Sequence, residues 1–174
     1  MTEHGKLYAR ELATYIQKRL WQMKQEEGDQ GGEDYRGNEL VVMLGTQAIH
    51  HATVAHLKKI AGPEVTFMSN SVLNELRGGE LDKMTHADIK HKYPEIWEQR
   101  MKDKLHFRYP GAGGESYIDL IQRIKPVIIE LERQRKSVLI VSHLAVQRCL
   151  CAYFSGLPSE SLPELAAFPF IVEV

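Results

Sequence analysis

Hydrophobic and polar residues alternate along the chain in blocks that predict helices and strands in turn. Apolar positions recur at helical spacing through residues 4–24, whereas residues 25–39 hold Gly, Asp and Glu with almost nothing to bury, which predicts a loop. Short apolar runs predict buried strands at residues 40–44 and 138–141, and further strands at residues 65–68 and 168–174. Further helices are predicted over residues 46–61, after Thr85, and over residues 95–101, 116–135 and 144–154. This alternation predicts an α/β sandwich with a largely parallel sheet.

Composition narrows the class of protein. The 174 residues carry 22 Lys and Arg against 23 Asp and Glu, so the formal net charge is −1. A chain of this length and balance predicts one globular domain spanning residues 1–174. The near-zero charge argues against a nucleic acid or an anionic membrane as partner, because both are bound mainly through net positive charge.

Location is predicted from the termini and the cysteines. The N-terminus carries charged residues throughout, unlike a secretory signal peptide, and no apolar run approaches the roughly 20 residues that a membrane span needs. The only cysteines are Cys149 and Cys151, which point to different sides of a predicted helix and form no disulfide scaffold. A cytoplasmic domain without a membrane partner is expected.

The clearest candidate site follows the third predicted strand. Ser142 and His143 end this strand, and a helix follows at once. Ligands of open α/β sheets collect outside the carboxyl ends of strands, and a helix N-terminus offers free N–H groups to an anion. Arg148 lies about one turn along the helix, where its guanidinium could reach the same anion. The alternative is a histidine that satisfies a buried turn and an arginine on a surface face.

Two further segments hold candidate chemistry. Glu75 stands between two leucines, and a carboxyl in a partly apolar pocket can protonate a leaving alkoxide; a solvated loop glutamate is the alternative. Arg108 lies among Phe107, Tyr109 and Pro110 in a long loop, which suits recognition of a phosphorylated sugar. That loop could equally be anchored by its aromatic side chains.

The other histidines give no metal-site pattern. No pair among His50, His51 and His56 has i,i+4 spacing, and no HExxH motif is present. The chain also lacks the glycine-rich loops that bind ATP or dinucleotides. We therefore expect no metal and no cofactor.

Taken together, the segments resemble a known family. LNELRGGELDKMT, IKHKYPEIWEQR, FRYP with GESYIDLIQRIKPVIIELERQ, and VLIVSHLAVQRCLCAYF occur in that order over residues 72–165. Their order and spacing resemble the fructose-2,6-bisphosphatase domain of the bifunctional 6-phosphofructo-2-kinase/fructose-2,6-bisphosphatase family, in the phosphoglycerate mutase-like histidine phosphatase superfamily.

The resemblance implies a three-layer α/β/α fold with a mixed, largely parallel sheet, and chemistry on fructose 2,6-bisphosphate or fructose 6-phosphate. It assigns His143 as the second histidine at the phosphate and Glu75 as the acid. It assigns sugar-phosphate contacts to Arg108, Tyr93 and Arg148. A kinase domain in the same or a partner chain is also implied.

The chain departs from the family's pattern in several places. The first strand, which ends in Arg-His-Gly-Glu and supplies the nucleophilic histidine, has no counterpart here. His50 falls where the second phosphate arginine is expected, Leu144 replaces a glutamine, and the lysine after Tyr-Pro is absent. We therefore expect negligible bisphosphatase activity, because covalent catalysis needs its nucleophile. A non-catalytic domain that binds a sugar phosphate or a partner is the alternative function, and an unrelated doubly wound binding module is a third. Either something fills the place of the first strand, or its neighbouring strands close up.

Overall fold

The computed structural model describes residues 1–26 and 36–166. The strands are β1 (Arg36–Leu44), β2 (Val65–Ser69) and β3 (Lys136–Val141). The helices are α1 (Glu3–Glu26), α2 (Ala48–Thr53), α3 (Ala55–Ile60), α4 (His86–Lys92), α5 (Pro94–Lys102), α6 (Tyr117–Arg133) and α7 (Leu144–Phe154). Short 3-10 helices occupy Ser71–Leu73, Gly79–Leu81 and Ser159–Glu164.

The described strands form one parallel sheet in the order β2-β1-β3. Leu40 lies opposite Val65 on one side and Ser137 on the other, and the pairing then runs in register to Leu44. Beyond the strand ends, the Gly45 N–H donates to the Val141 carbonyl at 3.3 Å. The central place of β1 in the sheet is consistent with the apolar run from Leu40 to Leu44, whose side chains are buried.

The chain divides into two compact units, the first comprising residues 1–74 and 127–142. Its core contains the sheet, and the β1 residues from Leu40 to Leu44 are each 6% exposed or less. Helix α1 packs on β1 and on α2 and α3 through an apolar stripe that includes Leu12, Ile16 and Leu20. The helical spacing of that stripe confirms the first predicted helix.

The second unit comprises residues 75–126 and 143–174. Its buried side chains include Leu120 and Ile124 of α6, Val146 of α7 and Leu162 of the last 3-10 helix. The predicted start of α4 is confirmed, because Thr85 and Asp88 form a reciprocal capping box. The predicted start of α6 is confirmed in the same way by Ser116 and Asp119. The prediction of a single domain over residues 1–174 stays a prediction.

Two predicted boundaries were wrong. Arg36–Glu39, assigned to a loop, belongs to β1. The helix predicted over residues 46–61 is two short helices that meet at Val54, whose backbone (φ −92°, ψ 3°) departs from helical geometry. Thr46 does not cap α2, because its N–H donates to Asn74 Oδ1 at 2.7 Å and its hydroxyl accepts from Asn74 Nδ2 at 2.8 Å.

Two other expectations are not tested. The predicted strand over residues 168–174 and most of the predicted loop over residues 25–39 lie outside the described residues. Within the part that is described, the strands pair without a gap, and β3 has β1 as its one strand neighbour. That something fills the place of the family's first strand, or that its neighbouring strands close up, stays a prediction.

Candidate functional site

His143 and Glu75 lie against each other in the second unit. His143 is the residue before α7 and has extended backbone (φ −82°, ψ 167°). Its ring Nδ1 lies 3.6 Å from Glu75 Oε2, and the two side chains are 32% and 38% exposed. A histidine and a carboxyl group are therefore brought together at a solvent-accessible position, although 68 residues separate them along the chain.

The start of α7 adds backbone donors to this pair. The His143 side chain makes no capping hydrogen bond to α7, and the helix runs for 11 residues from Leu144. The first N–H groups of a helix lack partners within the helix, and the helix dipole adds positive potential there. An imidazole, a carboxyl group and a helix N-terminus together suit an anionic group that exchanges a proton.

The segment that carries Glu75 is held by a buried ion pair. Arg123 Nε lies 2.8 Å from Glu115 Oε1, and Arg123 Nη2 donates to Glu115 Oε2 at 2.9 Å. The same Nη2 also lies 3.2 Å from the Glu75 carbonyl oxygen, which accepts its hydrogen bond. Glu75 Oε1 accepts from the Leu76 N–H at 2.9 Å, so its other oxygen is the one nearer His143.

Arg148 contacts protein groups in this structure. Its Nε donates to the Leu165 carbonyl at 2.9 Å, and its Nη1 donates to the Tyr117 hydroxyl at 3.1 Å. These bonds join α7 to the start of α6 and to the end of the last 3-10 helix. Contact of Arg148 with a sugar phosphate stays a prediction. Such a contact would use the guanidinium N–H groups that do not take part in these two hydrogen bonds.

Arg108 and Tyr93 occupy exposed positions. The Arg108 guanidinium forms an ion pair with Asp119, and its side chain is 65% exposed. Hydrogen bonds from the Ser116 N–H and hydroxyl, together with the Arg108 charge, hold the pKa of Asp119 below its usual value. Tyr93 is 40% exposed and lies where α4 ends and α5 begins. Their proposed contacts with a sugar phosphate stay predictions.

The loop around Arg108 makes aromatic and backbone contacts. The Arg100 guanidinium lies 5.6 Å from the Trp97 ring centroid and 6.0 Å from that of Tyr109. The Glu80 N–H donates to the Pro110 carbonyl at 2.9 Å. A Cβ at Gly79 would stand 2.1 Å from that same oxygen. Tyr109 thus contacts the Arg100 guanidinium, and the Arg108 side chain is exposed. That aromatic side chains anchor this loop stays a prediction.

His50 lies in the first unit and is 3% exposed. Its ring packs under Gly45, where an added Cβ would stand 2.3 Å from His50 Cε1 and 2.7 Å from Asn74 Oδ1. Gly45 thus leaves the space that the imidazole fills. A role for His50 in substrate binding stays a prediction.

Several residues of this region were not found from the sequence. The helix start at Ser116 was predicted but its partner Asp119 was not, although the two residues have the spacing of a capping box. Glu115 and Arg123 are eight positions apart, and no local spacing rule pairs such residues. Only the fold brings them together.

No group of three or more metal-binding side chains occurs among the residues that the structure describes. In the same residues, no helix is long and apolar enough to cross a membrane. Burial raises the pKa of the Cys149 thiol to about 12, so this cysteine is not a nucleophile at neutral pH.

Comparison with known proteins finds a family model and curated relatives that match most of this chain. The histidine phosphatase superfamily (branch 1) matches residues 50–169. The chain is 38% identical over 165 residues to a 6-phosphofructo-2-kinase/fructose-2,6-bisphosphatase of Arabidopsis thaliana, covering 95% of this chain and 19% of that protein. It is 41% identical over 148 residues to the protein of the same name from Gallus gallus, covering 79% of this chain and 31% of the relative. The chain thus spans under a third of the length of these relatives.

Solved structures show the same fold at lower sequence identity. A mycobacterial glucosyl-3-phosphoglycerate phosphatase in complex with inorganic phosphate superimposes with a TM-score of 0.69 and 21% identity. The match covers 95% of this chain and 74% of that chain. At this identity the likeness establishes the fold and carries no argument about substrate.

Proposed function

From the premise that this chain belongs to the histidine phosphatase superfamily (branch 1) and has the phosphoglycerate mutase-like fold, we propose that it binds a phosphorylated fructose. The ligand class is fructose 2,6-bisphosphate or fructose 6-phosphate. The relatives from Arabidopsis thaliana and Gallus gallus carry bisphosphatase and kinase in their names, which supports this class. The proposal extends to a kinase domain, in the same or a partner chain, beside which this domain acts in the cytoplasm.

The contact between His143 and Glu75 at the start of α7 carries the proposal. A protonated His143 would donate to a phosphoryl oxygen, and the first N–H groups of α7 would donate to the same group. Glu75, 3.6 Å from the ring, would hold or deliver the proton of a leaving sugar hydroxyl. Arg108 and Tyr93, both exposed in the same unit, are the candidates for contacts with the rest of the sugar phosphate.

We propose further that the 174-residue polypeptide binds this ligand with negligible turnover. No Arg-His-Gly sequence occurs in it, and the resemblance to the family assigns His143 as the supporting histidine and not as the nucleophile. The residue at the expected second arginine is His50, which is buried and lacks the fixed charge of a guanidinium. One lost transition-state donor of this kind costs about 10²–10³ in rate.

Titration calorimetry with fructose 6-phosphate tests the binding proposal. Replacing His143 by alanine should weaken binding about 10- to 100-fold, because a hydrogen bond to a charged group contributes about 1.5–3 kcal/mol. The matched control is His51→Ala, which removes an exposed histidine from the first unit and should leave affinity unchanged.

Two results would contradict the proposal. Absence of heat with millimolar fructose 6-phosphate and fructose 2,6-bisphosphate would overturn the binding function. Release of inorganic phosphate from fructose 2,6-bisphosphate at an ordinary enzymatic rate would overturn the part that denies turnover, and would favour a catalytic role for Glu75 and His143.

A further inference from the structure

The ion pair of Arg123 and Glu115 connects helix α6 to the segment that carries Glu75. The two side chains are 13% and 11% exposed. Arg123 is thus a largely but not fully buried cation, and its carboxylate partner comes from the residue just before the α6 cap. Burying two charges costs desolvation free energy that an apolar pair of similar size would avoid. The pair therefore calls for an explanation other than stability alone.

Its contacts converge on residues 75–77. Arg123 Nη2 donates to the Glu75 carbonyl oxygen at 3.2 Å, while the same guanidinium binds Glu115. Glu115 in turn binds both backbone groups of Arg77. The Arg77 N–H donates to Glu115 Oε2 at 3.0 Å, and the Glu115 N–H donates to the Arg77 carbonyl at 3.0 Å. One buried ion pair thus sets the backbone on both sides of Leu76.

The orientation of the Glu75 side chain depends on that backbone. The Leu76 N–H donates to Glu75 Oε1 at 2.9 Å, which turns Oε2 toward His143 Nδ1. If the backbone at residues 75–77 rotated, the Leu76 N–H would leave Oε1 and the carboxyl group would turn away. The Glu75 side chain is 38% exposed, so solvent is available to the carboxyl group if it turns away.

We propose that Arg123, with Glu115, is a positioning residue that holds Glu75 against His143. A guanidinium is suited to this because its planar fork supplies one edge to the carboxylate and a shared N–H to the backbone carbonyl. A lysine would keep the charge without this double geometry. The proposal rests on the proposed function only for its consequence for ligand binding, since the geometry of Glu75 and His143 is measurable without any ligand.

Nuclear magnetic resonance of the His143 ring in the full 174-residue chain tests the positioning role. Glu75→Ala provides the reference for a ring without its carboxylate. Arg123→Met should move the His143 ring signals most of the way to that reference, and Arg123→Lys should move them part of the way. The control is Ile124→Ala, which removes a fully buried side chain next to Arg123 on α6 and should leave the His143 signals in place.

A double variant separates positioning from stability. Glu115→Leu with Arg123→Met replaces the whole pair by apolar side chains, which is often neutral or stabilising. It should fold, and its His143 signals should still lie near the Glu75→Ala reference. If either this variant or a folded Arg123→Met keeps the wild-type signals, the proposal is wrong.

Binding of fructose 6-phosphate provides the second measurement. Arg123→Met should weaken binding about 2- to 10-fold, the equivalent of one misplaced hydrogen bond, and Ile124→Ala should not weaken it. If the wild-type chain binds no fructose 6-phosphate while the His143 signals move as described, the proposed function fails and the positioning role stands. If binding is present but the signals do not move, the positioning role fails and the proposed function stands.

Discussion

The surroundings of His50 and of His143 are built by different forces, although each histidine comes after a strand of the same parallel sheet. The His50 ring is 3% exposed and fills space left by the missing side chain of Gly45. Nearby, neutral hydrogen bonds join Thr46 to Asn74. His143 is partly exposed and faces Glu75, whose backbone is held by the charged pair of Arg123 and Glu115.

This difference separates a packed histidine from an accessible one. A buried imidazole that is enclosed by neighbouring atoms cannot readily exchange a proton with a ligand. A partly exposed imidazole beside a carboxyl group can do so. The two regions should also respond differently to mutation. The His50 region should be sensitive to added volume, and the Glu75 region should be sensitive to the loss of one member of a charged pair.

The largest expected effect is in the charged region. Glu115→Ala leaves the buried Arg123 guanidinium without its carboxylate and removes the acceptor of the Arg77 N–H. We expect a loss of about 3–5 kcal/mol in the free energy of unfolding, measured by urea denaturation. An effect below about 1 kcal/mol would show that solvent or a neighbour satisfies Arg123, and that this region is not held by the charged pair.

A smaller loss is expected from added volume in the packed region. Gly45→Ala would place a Cβ within 2.4 Å of two His50 ring atoms, so the ring or the backbone must shift. Overpacking of this kind costs about 1–3 kcal/mol in the free energy of unfolding. Because the clash is mainly with the imidazole, Gly45→Ala should cost at least about 0.5 kcal/mol less in a His50→Ala background. If urea denaturation shows that the losses in free energy of unfolding from Gly45→Ala and His50→Ala are strictly additive, the explanation by packing is wrong.

The smallest effect concerns the start of α6 and its pH dependence. Hydrogen bonds from Ser116, with the nearby Arg108 charge, lower the pKa of Asp119 in the folded protein. The carboxylate therefore stabilises the fold above its unfolded pKa of about 3.9, and this contribution is lost as the pH falls through the lower folded pKa. Asp119→Asn should cost about 0.3–1 kcal/mol at pH 7. Urea denaturation at lower pH should show this difference shrinking below pH 4, and a constant difference would contradict the assignment.

The elements of the fold were largely predictable because their signals are local. Strand β2 and helix α7 lie where apolar runs and turn residues predicted them, and the capping box at Thr85 and Asp88 marked the start of α4. The break at Val54 was not predictable, since the residue is fully buried and its backbone geometry is set by its packing. The strand residues before Leu40 were missed because polar side chains there carry no strand pattern.

The candidate site was predictable only in part. His143 was identified because a histidine between a buried strand and a helix occupies a position where anions bind, and Glu75 was identified by resemblance to the family. The contact between them depends on residues far apart in sequence, and no spacing rule gives their distance of 3.6 Å. The bonds of Arg148 to Leu165 and Tyr117 were also beyond sequence reasoning, because each joins different elements.

The sequence by itself determined which segments become helices and strands, and the order of its motifs determined the family. Both follow from periodicity, capping and residue identity, which act over a few neighbouring positions. Only the tertiary structure decided which of two histidines is buried and which faces a carboxyl group. It also decided that Glu115 and Arg123 meet, because pairing of distant side chains depends on the close packing of the elements that carry them.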